Sequence, residues 1–413
     1  MRYRRGARRR PALIICAIAL LGTLLSAPVT IAEQADRIVA VGDIHGADTQ
    51  LRALLQILGL TDASHQWIGG SATLVQTGDY TDRGVGVRRV LDLLMRLERE
   101  ADEAGGQVMV LLGNHEAMNL MHHVRDTTPA LLAHFADAKS EGRQQDAYEE
   151  DMRFRQQRAE ELGPLALPDP TREEWMTTHP PGLIEYLDAL GPDGHYGRWL
   201  RKRPVVVRVG DSILLHGGLH PDAPKDLDDI NDQAHREIET YDRYRKQLWE
   251  RDIILPFYSY QETLDAVRTE LQAWAIRLAP TGPPAPDAAT LNRRERRYLE
   301  MLIEFQRELP TWSLIHEDSP LWFRGFARWD EDTGPGLVDT LTERYDAARI
   351  VVGHSIPPSR LITTRFNNRI FLIDTGMLTA FYTGRASALE IRGDAVTAVY
   401  LDRQVSLVSQ TEP

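Results

Sequence analysis

The sequence contains a single cysteine, Cys16, and this residue lies inside an apolar run near the N-terminus. If that run is removed, the remaining chain has no thiol. A disulfide framework, a thiolate nucleophile and a cysteine metal site are then all excluded. Any bound metal must therefore be held by nitrogen and oxygen ligands.

The N-terminal apolar run, residues 12–25, is shorter than the roughly 20 residues that a membrane-spanning helix needs. Six arginines precede it and a small-residue site at 30–32 follows it. This pattern is typical of a signal peptide, so we expect residues 1–32 to direct export to the periplasm or beyond and to be cleaved. The alternative is an uncleaved signal that anchors the chain in the membrane. The arginine-rich start suggests twin-arginine export, but no convincing twin-arginine consensus is visible, so the sequence does not fix the export route.

Acidic residues outnumber basic ones in the rest of the chain. Removing residues 1–32 takes away six arginines and no acidic residue, which moves the net charge from −12 to about −18. Such a chain repels nucleic acid and anionic membrane surfaces, so neither is expected as a partner. The sequence gives no indication of the oligomeric state.

From residue 37 onward, short β-branched runs alternate with amphipathic segments. Strands are predicted at 37–41, 72–76 and 107–112, and helices at 49–58 and 85–104. This alternation predicts βαβ units and an α/β chain with a doubly wound parallel sheet. Ligands bind at the carboxyl ends of the strands in such sheets.

Two charged helical insertions are predicted, at about 118–200 and 222–310, and the second contains a Pro-rich loop at 281–286. We interpret the second insertion as a solvated cap without a catalytic role. A hairpin at 204–215 separates the insertions, and strands return at 349–352, 369–373, 388–391 and 396–401. One interrupted catalytic domain, residues 33–405, with a tail at 406–413, is the simplest organisation.

Each of the first three strands ends in a short polar phrase. The phrases are Gly-Asp-Ile-His-Gly from Gly42, Gly-Asp-Tyr-Thr-Asp-Arg-Gly from Gly78 and Gly-Asn-His-Glu from Gly113. One such phrase can simply close a turn, but three in order at similar spacing supply carboxylate, imidazole and amide ligands. These ligands suit two metal ions about 3.5 to 4 Å apart, as in phosphoesterases.

The phrases divide the metal ligands as follows. Asp43 and His45 lie in one loop and are predicted to bind the first ion, while Asp79 is predicted to bridge the two ions. Asn114 is predicted to bind the second ion.

Two histidines later in the chain complete the second ion's ligands. His216 and His354 each follow a strand beside glycine, so each reaches the same sheet edge. The remaining histidines lack this context and are interpreted as structural or solvated: His65, His122, His123, His134, His179, His195, His220, His235 and His316.

Neighbouring residues suit the chemistry of the substrate. His115 follows a ligand directly and is predicted to protonate the leaving oxygen, with Asp82 fixing its tautomer and orientation. Arg83 is predicted to hold phosphate oxygens bidentately, and Arg324 is a candidate second guanidinium. Asp374 is either a partner of a metal ligand or a turn residue.

With these motifs the chain resembles a metallophosphoesterase of the phosphoprotein phosphatase type, and most resembles the Shewanella-like bacterial phosphatases. The resemblance covers roughly residues 37–402. Besides the three phrases it rests on three stretches: Met118-Asn119-Leu120 after the third phrase, Ser319 to Gly325, and Asp374-Thr375-Gly376-Met377.

The resemblance implies a central β-sandwich flanked by helices, which differs from the doubly wound sheet and which we adopt. It implies two metal ions, iron, zinc or manganese, and the ligand, acid and phosphate roles given above. The expected activity is phosphomonoester hydrolysis, with a metal-activated hydroxide attacking phosphate in line. The substrate is then a phosphorylated protein or a small phosphoester.

Leu112 departs from the family, since the Ser/Thr phosphatases of eukaryotes carry arginine at that place. A preference for phosphoserine, phosphothreonine or phosphotyrosine therefore stays open. Two other functions also remain: hydrolysis of diadenosine tetraphosphate or a similar small molecule, and a binding protein that senses phosphate without cleaving it.

Overall fold

The computed structural model describes residues 37–278 and 291–409. The predicted signal peptide, 1–32, and the predicted loop at 281–286 lie outside the described residues. The strands are β1 (Ile38–Val41), β2 (Thr73–Gln76), β3 (Gln107–Val110), β4 (Val206–Val209), β5 (Ser212–Leu215), β6 (Arg349–Val352), β7 (Thr363–Arg365), β8 (Ile370–Leu372), β9 (Ser387–Arg392), β10 (Ala395–Tyr400) and β11 (Gln404–Val408).

The α-helices are α1 (Asp48–Ile57), α2 (Val87–Glu103), α3 (Asn114–Leu120), α4 (Pro129–Leu132), α5 (Ser140–Leu162), α6 (Arg172–Thr178), α7 (Leu183–Leu190), α8 (His195–Leu200), α9 (Leu227–Trp249), α10 (Tyr260–Leu278), α11 (Arg293–Glu308), α12 (Gly325–Arg328), α13 (Gly334–Arg344) and α14 (Thr379–Tyr382). Short 3₁₀ helices cover Gly163–Leu165 and Leu309–Thr311. Among the helices in the described ranges, none has both the length and the apolar character needed to cross a membrane.

The described strands form two sheets. One has the order β11-β10-β9-β1-β2-β3 and the other β4-β5-β6-β8-β7. The strands β1, β2 and β3 are parallel to one another, as are β5, β6 and β8. The remaining pairs are antiparallel. The single doubly wound sheet suggested by strand alternation is therefore wrong.

Each central strand contributes to two cores. In β1, Ile38 and Ala40 pack between the two sheets, whereas Val39 and Val41 join the larger core beneath the helices. Successive side chains of a strand point to opposite faces, so a strand in the middle layers is buried on both. The layers are helix, sheet, sheet and helix, which confirms the β-sandwich implied by the resemblance.

The strands predicted from the sequence are confirmed within two residues at each end. Two further strands were not predicted. β7 is three residues long and half-buried, and β11 is a largely exposed edge strand paired with β10. β11 ends at Val408, three residues into the segment assigned to a tail.

The described parts of both insertions are mainly helical, and they pack on each other. Asp151 of α5 accepts hydrogen bonds from the Trp175 indole of α6, at 2.9 Å, and from the Tyr258 hydroxyl just before α10, at 2.6 Å. Tyr241 of α9 donates its hydroxyl to the Met121 carbonyl at 2.7 Å. The second insertion is thus anchored to the first as well as partly solvated.

Candidate metal centre

Six loops meet at one end of the sandwich, following β1, β2, β3, β5, β6 and β8. Every metal ligand predicted from the sequence lies on one of the first five. The backbone there is unusual, because Asp79, Asp82 and Arg83 have φ values of 60°, 65° and 63°, and His45 and His354 have 46° and 62°. Non-glycine residues rarely adopt this left-handed region, and such conformations concentrate at functional sites.

Two glycines let the second and third loops touch. A Cβ on Gly78 would lie 2.5 Å from the Gly113 backbone and 2.9 Å from His216 Nδ1. A Cβ on Gly113 would lie 2.2 Å from the carboxylate of Asp79. Neither position has space for a side chain, so glycine is required for this approach.

Asp79 lies at the centre of the site. Its Oδ2 is 3.3 Å from His216 Nε2, 3.7 Å from His45 Nε2 and 3.8 Å from His115 Nε2, and its Oδ1 accepts the His115 backbone N–H at 3.0 Å. Although burial opposes ionisation, His216 and His115 lower the pKa of Asp79 well below its usual value. A carboxylate shared by imidazoles on both sides is suited to bridging two ions.

In the described residues, two groups of side chains offer ligand atoms within 4.8 Å of one another, and both contain Asp79. One group adds His216 and His354, as predicted for the second ion. The other adds His45 and His115. The histidines interpreted as structural belong to neither group.

His216 and His354 face each other through one nitrogen of each ring. His216 Nδ1 donates to the Thr77 carbonyl at 3.0 Å, and His354 Nε2 donates to the Trp322 carbonyl at 3.1 Å. A carbonyl only accepts, so these nitrogens carry the protons of the neutral rings. In the neutral rings the other two nitrogens, His216 Nε2 and His354 Nδ1, are both acceptors, and they lie 3.1 Å apart.

Further acceptors surround this pair. Asn114 Oδ1 lies 2.9 Å from His216 Nε2, beside Asp79 Oδ2. Burial, with His216 and Arg324, lowers the pKa of His354 well below its usual value, which keeps the ring neutral. With both rings neutral, four acceptor atoms converge at this place, so these residues suit a metal ion.

His45 is oriented in the same way. Its Nδ1 donates to the Thr81 carbonyl at 2.8 Å, which leaves Nε2 as an acceptor, and burial lowers its pKa well below the usual value. The acceptor Nε2 lies 2.6 Å from an Arg83 nitrogen. Arg83 therefore donates to a nitrogen that is also a predicted metal ligand.

Asp43 lies beside the two groups rather than within either. Its Oδ1 accepts the His354 backbone N–H at 3.0 Å. Burial, then the charges of Asp374 and Asp79, raise the pKa of Asp43. Burial also raises the pKa of Asp374 to about 6, and this carboxyl accepts the Gly376 N–H at 2.9 Å. Asp374 thus both closes a turn and faces Asp43.

His115 and Asp82 form the predicted pair. His115 Nδ1 donates to Asp82 Oδ2 at 2.7 Å, so Nε2 points into the site. Burial disfavours the charged ring, but the charges of Asp79 and Asp82 outweigh it and raise the pKa of His115. A protonated imidazole at this place can donate a proton to a leaving oxygen.

The two predicted phosphate-binding arginines lie on different sides. Arg83 donates to His45 and lies 3.0 Å from His115 Nε2, to which it can donate only while that ring is neutral. Its guanidinium packs 5.3 Å and 5.2 Å from the rings of Phe381 and Tyr382. Arg324 donates to the His354 carbonyl at 2.8 Å and to Ser355 Oγ at 3.1 Å.

Five contributors were not assigned a role from the sequence. Glu116 is fully buried and accepts from the backbone N–H groups of Asp79, Tyr80, Thr81 and Gly113, which shapes the second loop. Its place within the third phrase was the available signal. Asn119 contacts the acid pair and lies in the Met118-Asn119-Leu120 stretch, which was the available signal for it. Tyr186, which contacts Asn119, and the ring pair of α14 lie in no motif.

A separate cavity of about 450 Å³ lies between α5, α6 and α10, lined among others by Arg155, Trp175 and Glu262. It contains no residue of the two ligand groups, so it has no part in the chemistry above.

Comparison with known proteins agrees with this geometry. The model of the calcineurin-like phosphoesterase family matches residues 36–274. Shewanella-like protein phosphatase 2 of Arabidopsis thaliana is 36% identical over 191 residues, which are 45% of this chain and 47% of that protein. Shewanella-like protein phosphatase 1 of Plasmodium berghei is 24% identical over 346 residues, 83% of this chain and 67% of that protein.

This chain thus spans about half the length of the Arabidopsis relative that it matches. Among solved structures, a mutant of a cold-active protein tyrosine phosphatase superposes with a TM-score of 0.55 at 20% identity, covering 90% of this chain and 80% of that one. At that identity the superposition supports the fold alone. The relatives confirm the resemblance predicted from the motifs.

Proposed function

This chain belongs to the calcineurin-like phosphoesterase family, and on that premise we propose that it hydrolyses phosphate monoesters at a centre of two metal ions. The observation that carries the proposal is the pair of facing nitrogens, His216 Nε2 and His354 Nδ1, with both remaining ring protons donated to carbonyls. Two acceptor nitrogens that face each other beside Asp79 and Asn114 are an arrangement that suits a cation.

The residues would divide between the ions as the motifs predict. Asp43, His45 and Asp79 would hold one ion, and Asp79, Asn114, His216 and His354 the other. Two bound ions would supply Lewis acidity toward phosphate oxygens and lower the pKa of water. Nitrogen and oxygen donors of this kind accept manganese, iron or zinc, so availability selects the ion.

The chain's own residues bind and protonate the substrate. The Arg83 guanidinium, with Arg324 on the opposite side, would bind phosphate oxygens through paired N–H groups. Asp82 keeps the proton of His115 on Nδ1 when the ring is neutral and stabilises the ring when it is charged. The leaving oxygen would take its proton from His115 Nε2.

We propose a phosphorylated protein as the substrate, with phosphotyrosine preferred. Phe381, which is 60% exposed, and Tyr382 form an aromatic surface around Arg83. A phenyl ring whose phosphate contacts Arg83 has a surface on which to stack, whereas serine and threonine offer no ring. Both relatives described above bear the name protein phosphatase, which supports a protein substrate.

Activity assays on the manganese-loaded protein test the centre. We expect turnover of phosphotyrosine peptides and near-complete loss in Asp79→Asn, since the bridging charge is removed. Asp242→Asn is the matched control, because Asp242 pairs with Arg201 outside the site. Retained activity in Asp79→Asn would contradict the bridging role, and efficient turnover of diadenosine tetraphosphate alone would contradict the protein substrate.

We also propose that residues 1–32 direct export, as their basic and apolar pattern suggests. After expression in a bacterial host, the mass of the periplasmic protein should lack this segment. Recovery of the full-length chain in the membrane fraction would instead support an uncleaved anchor.

A further inference from the structure

A chain of buried hydrogen bonds runs from the first insertion to the acid pair. Tyr186 of α7 donates its hydroxyl to Asn119 Oδ1 at 2.9 Å. Asn119 Nδ2 donates to Asp82 Oδ2 at 3.0 Å, and the same oxygen accepts from His115 Nδ1 at 2.7 Å. Tyr186, Asn119 and Asp82 have no exposed surface, and His115 is 3% exposed.

The surroundings of Asn119 allow one orientation of its amide. Its Nδ2 faces three oxygens: Asp82 Oδ2, the His115 carbonyl at 2.8 Å and Thr81 Oγ1 at 3.3 Å. The Thr81 hydroxyl donates to Glu116, so it can only accept from Asn119. A reversed amide would place its oxygen against these acceptors, and the Tyr186 hydroxyl is the donor that satisfies the amide oxygen in the observed orientation.

Asp82 depends on this amide. Its Oδ1 is buried and has no hydrogen-bond partner among residues 37–278 and 291–409. The carboxylate is therefore oriented through Oδ2 alone, by His115 and by Asn119. Loss of the Asn119 bond would leave Asp82 free to rotate against His115.

We propose that Tyr186 is a positioning residue for the acid pair: through Asn119 it fixes the Asp82 carboxylate that orients His115 for proton donation. This inference rests on the proposed phosphatase function. Burial, then the charges of Asp82 and Glu116, raise the pKa of Tyr186, so the hydroxyl keeps the proton that it donates. The first insertion thereby becomes part of the catalytic apparatus rather than only a neighbour of the sheet.

The test uses two aryl phosphates that differ in their need for an acid. Phenyl phosphate has a poor leaving group that requires protonation, whereas the leaving group of 2,4-dinitrophenyl phosphate departs without it. In manganese-loaded Tyr186→Phe we expect kcat on phenyl phosphate to fall about tenfold and kcat on the dinitrophenyl ester to change less than about twofold.

Tyr196→Phe is the matched control. Tyr196 also packs on Phe135, at 6.2 Å against 4.9 Å for Tyr186, and also donates its hydroxyl to a side chain, Asp92 Oδ1, at 2.7 Å. This variant removes an equivalent hydroxyl outside the acid pair, so both substrates should keep their wild-type kcat. An equal effect of Tyr186→Phe on the two substrates, or no effect, would overturn the proposal.

A double-mutant cycle gives a second test. Asn119→Ala breaks the same chain one bond nearer to Asp82, so Tyr186→Phe should add nothing to it on phenyl phosphate. If Tyr186→Phe does not fold, Asn119→Ala must itself show the selective loss, and an unselective loss rejects the proposal. Wild-type protein inactive on both esters would instead refute the phosphatase function.

Discussion

At the scale of single residues, the hydrogen bond from Arg83 to His45 competes with metal binding at the same nitrogen. Arg83 donates to His45 Nε2 at 2.6 Å, yet a metal ion at His45 needs the lone pair of that nitrogen. It is also the group best placed to bind substrate phosphate. Metal binding at this position therefore requires the guanidinium to give up the bond to His45.

This competition predicts that replacing Arg83 lowers activity but strengthens metal binding. Arg83→Ala should lower kcat about a hundredfold, because a charge-assisted contact to phosphate is lost, while the affinity of the metal-free protein for manganese should rise. Titration calorimetry measures the affinity and phosphotyrosine peptides the rate.

Arg324→Ala is the control for that prediction. Arg324 donates to a carbonyl and a hydroxyl and not to a ring nitrogen, so its loss should lower kcat without strengthening manganese binding. Equal or weaker manganese affinity in Arg83→Ala would show that the arginine does not compete with the metal.

At the scale of elements, the sequence predicted strands better than layers. All four residues of β1 are buried, so their apolar character marks a strand but cannot reveal that Ile38 and Val39 face different cores. A strand inside a doubly wound sheet would show the same run of apolar residues. The β-sandwich could therefore be predicted from the family resemblance but not from the periodicity of the sequence.

The residues of the candidate site also fall into those that the sequence predicts and those that it does not. Asp43, Asp79 and Asn114 were predictable because each follows a strand of a parallel trio within four residues, and the ends of these strands meet at one edge. Tyr186 was not, because it lies within an ordinary amphipathic helix and reaches the acid pair only through tertiary packing. Local pattern holds no information about such contacts.

Helix α10 provides a prediction about pH. Glu262 in its first turn accepts from the Ser259 N–H at 2.8 Å and lies 3.4 Å from His179 Nε2. Burial opposes its ionisation, but hydrogen bonds and charge from His179, with the Ser259 bonds, lower the pKa of Glu262 from 4.5 to about 2. A lowered pKa means that folding favours the ionised form.

The stabilisation by Glu262 is therefore complete above pH 4.5 and is lost as the pH falls toward about 2. Glu262→Gln should be less stable by roughly 1 to 2 kcal/mol at neutral pH, and the difference should shrink across that window. Urea unfolding at several pH values measures it. A difference independent of pH would show that the carboxylate charge contributes nothing. Glu173→Gln, at an exposed position of α6, controls for the loss of one negative charge.

At the scale of the whole molecule, the candidate metal ligands come from both sheets. His45, Asp79 and Asn114 follow β1, β2 and β3 of one sheet, and His216 and His354 follow β5 and β6 of the other. Bound ions would therefore connect the two layers of the sandwich. They would also satisfy buried groups that otherwise face one another as acceptors.

Metal binding should consequently stabilise the entire fold. A ligand that binds only the native state, at about a thousandfold excess over its Kd, contributes about 4 kcal/mol, which for a chain of this length raises Tm by roughly 5 °C. Chelation should lower Tm by that amount and added manganese should restore it. His354→Ala should abolish most of the shift because it removes a ligand from the second sheet. His122→Ala, which removes a buried histidine outside both ligand groups, should keep it; an undiminished shift in His354→Ala would mean that the ion is held elsewhere.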